Sequence, residues 1–138
     1  MKFAHQSEKI FANHLDLFDI KWIYEPKSFP LKWGSGAIKM MFTPDFYLPE
    51  MDIYIEITTM DQKLITKKQR KIKLARKLYP MNTFKLINEQ QFYNFLTKDN
   101  ENLVKKAIAS WIFEQIFNIF YSQTFCYFQF FGYGSITH

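Results

Sequence analysis

The stretch TPDFYLPEMDIYIEIT, residues 43–58, decides the fold because it contains the clearest strand of the chain. Apolar and other side chains alternate over 52–58, which is the period-two pattern of a β-strand with two different faces. Pro49 and Glu50 predict a turn just before this strand, and the apolar run 46–48 predicts another strand before the turn. Ile53, Ile55 and Ile57 share one face of the strand, and Tyr54, Glu56 and Thr58 share the other.

The sequence on either side of this stretch predicts helices packed around a sheet. Strands and helices that alternate in this way belong to the α/β (α+β) class, and we expect a central mixed four-stranded sheet flanked by helices. The patterns predict a helix over 5–18 capped by Ser7, a strand over 21–25, a loop or hairpin connection over 26–37, a strand over 38–42 that resumes at 46–48, a helix over 66–78, a strand over 83–87 and a helix over 89–96.

Length, charge and cysteine content narrow the class of protein. The 138 residues suffice for one domain, and a formal net charge of +5 with a pI near 9.2 suits an anionic partner. The single cysteine, Cys126, excludes an internal disulfide framework and a cysteine-based zinc cluster. Residues 1–6 show no apolar core of a secretion signal, so we expect a cytoplasmic protein.

The chain changes character near its C-terminal end. All 18 Lys and Arg residues and 12 of the 13 acids lie in 1–110, whereas 111–138 holds 11 of the 27 aromatic residues. Asp99 and Asn100 can cap a further helix, and clear periodicity is lost beyond Phe120. Polar residues interrupt this region too often for a membrane span, so we expect it to pack on the sheet or on a partner subunit, as in a homodimer. An interaction protein that uses this surface is therefore one alternative function.

Two acids stand in a setting that suits a metal ion. Asp45 opens one predicted strand and Glu56 lies in the next, 11 residues later, so a hairpin can bring both carboxylates to the same end and face of the sheet. Mg²⁺ prefers oxygen ligands, commonly one or two carboxylates with water and substrate phosphate. A turn aspartate and an exposed strand glutamate are the simpler alternative. That alternative is weaker for Glu56, because a charge inside the run 53–58 is costly unless something pairs with it.

The run 43–50, followed by YIEIT at 54–58, resembles the signature of the PD-(D/E)XK (restriction-endonuclease-like) superfamily. The resemblance extends over about residues 5–95. It implies an αβββαβ core and a metal-dependent endonuclease that hydrolyses DNA phosphodiester bonds, with Mg²⁺ or Mn²⁺ as cofactor. The nuclease-like domain would comprise residues 1–98, followed by a C-terminal helix and an aromatic-rich tail over 99–138.

The resemblance also implies roles for individual residues. Asp45 and Glu56 match the metal-binding carboxylates, and the carbonyl of Ile57 matches the group that completes the coordination. Glu8 matches an acid on the first helix that contacts the metal through water. An ordinary first-turn acid that interacts with the helix dipole is an equally open interpretation of Glu8.

Thr58 departs from the motif, which expects a lysine there. Either the lysine has moved onto the following helix, or the domain has lost catalysis and only binds nucleic acid. The segment 63–77 contains eight basic residues and no acid, which favours the first alternative and predicts DNA binding, because like charges repel unless an anion relieves them. The candidates for the moved lysine are Lys63, Lys67 and Lys71, which fall near one helical face, and Lys68 beside them. The predicted DNA-binding residues are Lys63, Lys67, Lys68, Arg70 and Lys71.

Overall fold

Four strands form the central sheet, and a hairpin of two further strands lies beside it. A computed structural model describes residues 2–59 and 62–135, with side chains described for all of these except residues 62 and 122–135. In chain order the elements are α1 (Gln6–Leu17), β1 (Ile23–Tyr24), β2 (Phe29–Gly34), β3 (Ala37–Phe42), β4 (Phe46–Leu48), β5 (Ile53–Ile57), α2 (Gln62–Leu78), β6 (Phe84–Ile87), α3 (Glu89–Leu96) and α4 (Glu101–Ser135).

The central sheet has the strand order β1-β4-β5-β6 and is mixed. β4 pairs antiparallel with β1 and with β5, whereas β5 pairs parallel with β6, and α2 makes the crossover that a parallel pair requires. The predicted α+β class with a central mixed four-stranded sheet flanked by helices is confirmed. The order αβββαβ is formed by α1, β1, β4, β5, α2 and β6, and the β2–β3 hairpin is inserted after β1.

The β2–β3 hairpin corrects one prediction. The stretch 38–42 does not continue into 46–48, because β3 pairs with β2 in its own two-stranded sheet and β4 belongs to the central sheet. Pro44 lies between them and has no N–H group to donate to a ladder. Of the loop and the hairpin connection that the sequence allows for 26–37, the structure contains the hairpin. Its tight turn at Ser35 and Gly36 has positive φ at both positions, as a two-residue hairpin turn requires.

The two faces of β5 are buried against different partners, as its alternating pattern predicts. Ile53, Ile55 and Ile57 join a core with residues of α1, α3 and α4. Tyr54 joins a second core with residues of the hairpin and α2. All five residues of β5 are buried, so the side chain of Glu56 lies between the sheet and α2 rather than in solvent.

The helix boundaries differ from the predictions at two N-termini. α1 has His5 rather than Ser7 as its N-cap residue, and the carboxylate of Glu8 accepts a hydrogen bond from the His5 N–H at 3.1 Å. α2 is described from Gln62, four residues before its predicted start at Thr66, so Lys63 lies on the helix. α3 spans the predicted range.

Helix α4 packs against the sheet with its first part. Asn100 caps it, since its side-chain Oδ1 accepts a hydrogen bond from the Leu103 N–H at 3.0 Å. Val104, Ile108 and Trp111 are buried in the core formed with α1, α3 and β5. Further along, several large apolar side chains are exposed: Phe113, Ile116, Phe117, Phe120 and Tyr121. Across the part of the chain that the structure describes, no helix combines the length and the apolar character needed to cross a bilayer.

Candidate functional site

Asp45 and Glu56 lie side by side at one end of the β4–β5 pair. The register Phe46 with Ile55 places them on neighbouring positions. The backbone N–H of Asp45 donates to Glu56 Oε2 at 3.2 Å, and the N–H of Ile57 donates to Asp45 Oδ2 at 2.8 Å. The β4–β5 pair therefore brings the two predicted metal-binding carboxylates together, as the sequence predicts, and backbone hydrogen bonds hold them there.

Both carboxylates are buried, and burial changes their proton affinity. Asp45 is 8% exposed and Glu56 is 7% exposed. Burial, together with the negative charge of Glu56, raises the pKa of Asp45 to about 8. Burial also raises the pKa of Glu56, although the nearby Lys68 ammonium acts in the opposite direction. A cation bound between the two acids would offset the cost of their burial and favour their charged forms.

Lys68 of α2 supplies positive charge at this pair. Its Nζ lies 3.0 Å from Glu56 Oε1 and donates to the carbonyl oxygen of Ile57 at 2.9 Å. These two oxygen atoms belong to the predicted metal ligands, so a cationic group already occupies the position next to them. The Lys68 side chain remains 23% exposed, which leaves it open to a bound substrate.

Glu8 approaches the carboxylate pair from α1. It is buried, and its Oε2 accepts a hydrogen bond from the Tyr24 hydroxyl at 2.8 Å. Its negative charge contributes to the raised pKa of both Asp45 and Glu56. Among the side chains that the structure describes, those of residues 2–59 and 63–121, however, no three His, Cys, Asp or Glu residues form a group that could hold a metal ion. Glu8 thus acts on the pair through its field, and its predicted contact through water stays a prediction.

Thr58 lies on the same strand face as Glu56 and is fully buried. Its N–H donates to the Ile87 carbonyl at 2.9 Å, while its side-chain Oγ1 is buried without a described hydrogen-bond partner. A buried hydroxyl in that state is uncommon in folded proteins. The threonine cannot replace the charge of the expected lysine, but Lys68 brings an ammonium group to the adjacent residue.

Lys68 is the basic residue of α2 whose contact with the carboxylate pair is described. Lys63, Lys67, Arg70 and Lys71 line a separate groove between α2 and the β2–β3 hairpin. The predicted common face of Lys63, Lys67 and Lys71 is therefore present, but it points to the hairpin. Arg76 has a different role, since its guanidinium donates two hydrogen bonds to the Phe84 carbonyl at 3.3 and 2.7 Å.

A signal for Lys68 was available in the sequence. Ile72 and Ala75 form the buried side of α2, and Lys68 precedes them by four and seven residues, the spacing of one helical face. The sequence does not predict two contacts: the hydrogen bond from the Tyr24 hydroxyl to Glu8, and the position of Lys32 in the separate groove. Neither residue has a local pattern that reveals its partner.

The donor chemistry at the pair suits a hard divalent cation. Asp45, Glu56 and the carbonyl of Ile57 offer only oxygen atoms, and the ammonium of Lys68 demonstrates that a positive charge is accepted beside two of them. In comparisons with known proteins, no family model, no curated protein and no solved structure matches this chain.

Proposed function

We propose that the protein is a metal-dependent endonuclease that hydrolyses DNA phosphodiester bonds, with a site of the PD-(D/E)XK type. The observation that carries this proposal is the arrangement of Lys68, Glu56 and Ile57 beside Asp45. Two buried carboxylates, a carbonyl oxygen and a lysine ammonium meet within hydrogen-bonding distance at one end of the sheet. Such a set combines the groups that hold a cation with a group that can face an anionic phosphate.

In this proposal Asp45, Glu56 and the Ile57 carbonyl would hold Mg²⁺ or Mn²⁺. When bound, such a cation lowers the pKa of a coordinated water and offsets charge that develops on the phosphodiester. The fold holds the two carboxylates in place before any cation binds, because each of them accepts a backbone hydrogen bond at the end of the β4–β5 pair. Ligands that are already held in place lose little conformational freedom when the cation binds, which favours tight cation binding and a defined coordination geometry.

Lys68 would replace the lysine that the motif expects at residue 58. Its ammonium lies beside the carboxylates and keeps contact with solvent, so it can turn from Glu56 toward a phosphate oxygen or toward the attacking water. A positioned cation of this kind contributes electrostatic stabilisation of a developing negative charge. Glu8, held by the Tyr24 hydroxyl, would keep the local potential negative and so retain the cation.

A plasmid-nicking assay with Mg²⁺ and with Mn²⁺ tests the proposal. We expect the wild-type protein to convert supercoiled plasmid to open circles only in the presence of a divalent cation. Asp45→Asn and Glu56→Gln should each abolish cleavage while keeping the fold. The control variant Asp99→Asn, at an exposed acid between α3 and α4, should cut normally.

Two results would contradict the proposal. Cleavage by either site variant at the wild-type rate would place the site elsewhere. Metal-independent DNA binding without any cleavage by the wild-type protein would instead favour a non-catalytic nucleic-acid-binding module. The observation in favour of that module is Thr58, which stands where the motif expects a lysine.

A further inference from the structure

Helix α4 carries apolar side chains on two opposite faces. One face holds Val104, Ile108 and Trp111, which are buried in the core formed with α1, α3 and β5. Phe113 and Phe117 come two and six residues after Trp111, and a rotation of about 100° per residue places both on the other side of the helix. A helix that is apolar on both sides is normally buried on both sides.

The second face forms a continuous stripe that is open to solvent. The α4 stripe consists of four side chains with exposed fractions between 53% and 67%: Phe113, Ile116, Phe117 and Tyr121. Its three rings stack along the helix, with centroids 6.5 Å apart for Phe113 and Phe117 and 6.1 Å apart for Phe117 and Tyr121. Single apolar side chains are normal on a protein surface, whereas a contiguous apolar patch marks a site of interaction.

The area of the α4 stripe is large enough for two copies of the chain to associate. A fully exposed side chain of this size presents about 200 Å², so the four exposed fractions amount to roughly 500 Å² on each copy. Two stripes packed against each other would remove roughly 1,000 Å² from water, which is the area that a specific protein–protein interface requires. The ring of Phe120, which is also exposed, lies beside the stripe and adds to this area.

The charges near the α4 stripe favour a second copy of the chain over a lipid surface. All 18 Lys and Arg residues lie in 1–110, whereas helices that lie on membranes normally carry Lys and Arg on their polar face. Glu114 is the one acid in 111–138, and its Oε2 lies 2.9 Å from Lys85 Nζ on β6, so its charge is held at the sheet. An uncharged apolar stripe needs an uncharged apolar complement, and a second copy of the chain presents one.

We propose that the α4 stripe is the interface of a homodimer, in which two chains related by a two-fold axis pack their stripes against each other. Rings that follow one another by one helical turn leave spaces that the rings of the other chain fill, as in helix packing generally. When the axis passes through the middle of the stripe, Phe117 meets the Phe117 of the other copy. The dimer does not depend on the proposed nuclease activity, because no residue of the stripe belongs to the carboxylate pair.

Sedimentation velocity of the full chain in EDTA, without DNA, tests the proposal. We expect the wild-type protein to pass from monomer to dimer as its concentration rises from the low micromolar to the sub-millimolar range. Phe117→Glu should weaken association at least about tenfold, because the dimer would bury two carboxylates without partners. Leu17→Glu is the matched control, because Leu17 is an exposed leucine at the end of α1 outside the stripe, and it should associate as wild type does. Circular dichroism checks that both variants keep the helix content of the wild type.

A pair of opposite charges tests whether the occupant of the stripe is a second copy of the chain. Phe117→Lys alone should also weaken association, because the dimer would then bury two ammonium groups without partners. An equal mixture of Phe117→Glu and Phe117→Lys should dimerise again, since the two-fold axis brings the opposite charges together. No other occupant of the stripe predicts this recovery.

Each remaining outcome would overturn the proposal. A wild-type protein that stays monomeric over the whole concentration range would refute the dimer, and so would an equal loss of association in Phe117→Glu and Leu17→Glu. A mixture of the two Phe117 variants that stays monomeric would refute the two-fold arrangement around this residue. Binding of monomeric wild type, but not of Phe117→Glu, to phosphatidylcholine vesicles would assign the stripe to a lipid surface. None of these measurements involves cleavage, so failure of the dimer and failure of the nuclease are distinguishable.

Discussion

Asp45→Asn should make the protein more stable, although it removes a predicted metal ligand. The aspartate is buried beside Glu56, and its pKa is raised from 3.8 to about 8. The folded state therefore binds the proton of Asp45 more tightly than the unfolded chain does. Below about pH 4 the group is protonated in both states and has no effect on stability. As the pH rises from about 4 to about 8, the unfavourable contribution of the buried charge grows, and above that range it is complete.

The size of the effect follows from the pKa and from the contacts of the carboxylate. One pH unit of displacement corresponds to about 1.4 kcal/mol, so the change from 3.8 to about 8 sets a ceiling of roughly 6 kcal/mol. Asparagine keeps the acceptor for the Ile57 N–H, and its amide can donate to Glu56. Its own burial offsets part of the gain. We expect Asp45→Asn to raise the free energy of unfolding at pH 8 by roughly 1–3 kcal/mol.

Urea unfolding of the metal-free protein at pH 8 and at pH 4.5 measures this effect. The gain in Asp45→Asn should be largest at pH 8 and should shrink toward pH 4.5. Asp99→Asn, at an exposed carboxylate, should leave both values unchanged. A variant that is less stable than wild type at pH 8, or a gain that does not depend on pH, would show that the buried acid pair does not destabilise the fold.

Three further predictions follow from the same contacts. Lys68→Met should tighten Mn²⁺ binding in isothermal titration calorimetry by about an order of magnitude, because it removes a competing positive charge from the ligands; weaker binding would contradict the assignment. Thr58→Lys should partly restore cleavage to the Lys68→Met variant, since it returns an ammonium to the same strand face as the acids; no recovery in a nicking assay would count against the moved lysine. Gln115→Ala should lower the free energy of unfolding by about 1–3 kcal/mol, because its buried side chain accepts a hydrogen bond from the Phe84 N–H at 2.7 Å. The control Asn118→Ala, at an exposed position of the same helix, should have little effect.

The sheet and the acid pair could be predicted from the sequence because their determinants are local. The alternation over 52–58 specifies the two faces of β5, and a short turn at Pro49 forces β4 alongside it. The antiparallel register then brings Asp45 next to Glu56 without any information from distant residues. These predictions needed only the period of a strand and the reach of a hairpin.

The choice among the candidate lysines and the presence of the groove could not be predicted in the same way, because both depend on how separate elements pack. Spacing on α2 shows that Lys63, Lys67 and Lys71 share a face, but not which structure that face meets. The face turns out to meet the hairpin, whose strand β2 lies in a stretch rich in Pro and Gly that gave no clear strand pattern. Lys68 instead lies on the buried side of α2, one turn before Ile72. The apolar pattern of the helix indicates that position of Lys68 once the location of the core is known.

The central claim is that Asp45, Glu56 and Lys68 form one hydrolytic site, and single-turnover cleavage at saturating protein tests it most directly. The rate of a metal-dependent cut is measured in Mg²⁺ for wild type, Glu56→Gln, Lys68→Met and the neighbouring control Lys67→Met. We expect Glu56→Gln to be inactive and Lys68→Met to be slower by about 10²–10⁴, with DNA binding nearly kept. Lys67→Met should lose affinity while its rate at saturation stays close to wild type. Equal rates for the two lysine variants, or a Glu56→Gln protein that cuts normally, would contradict the assigned site.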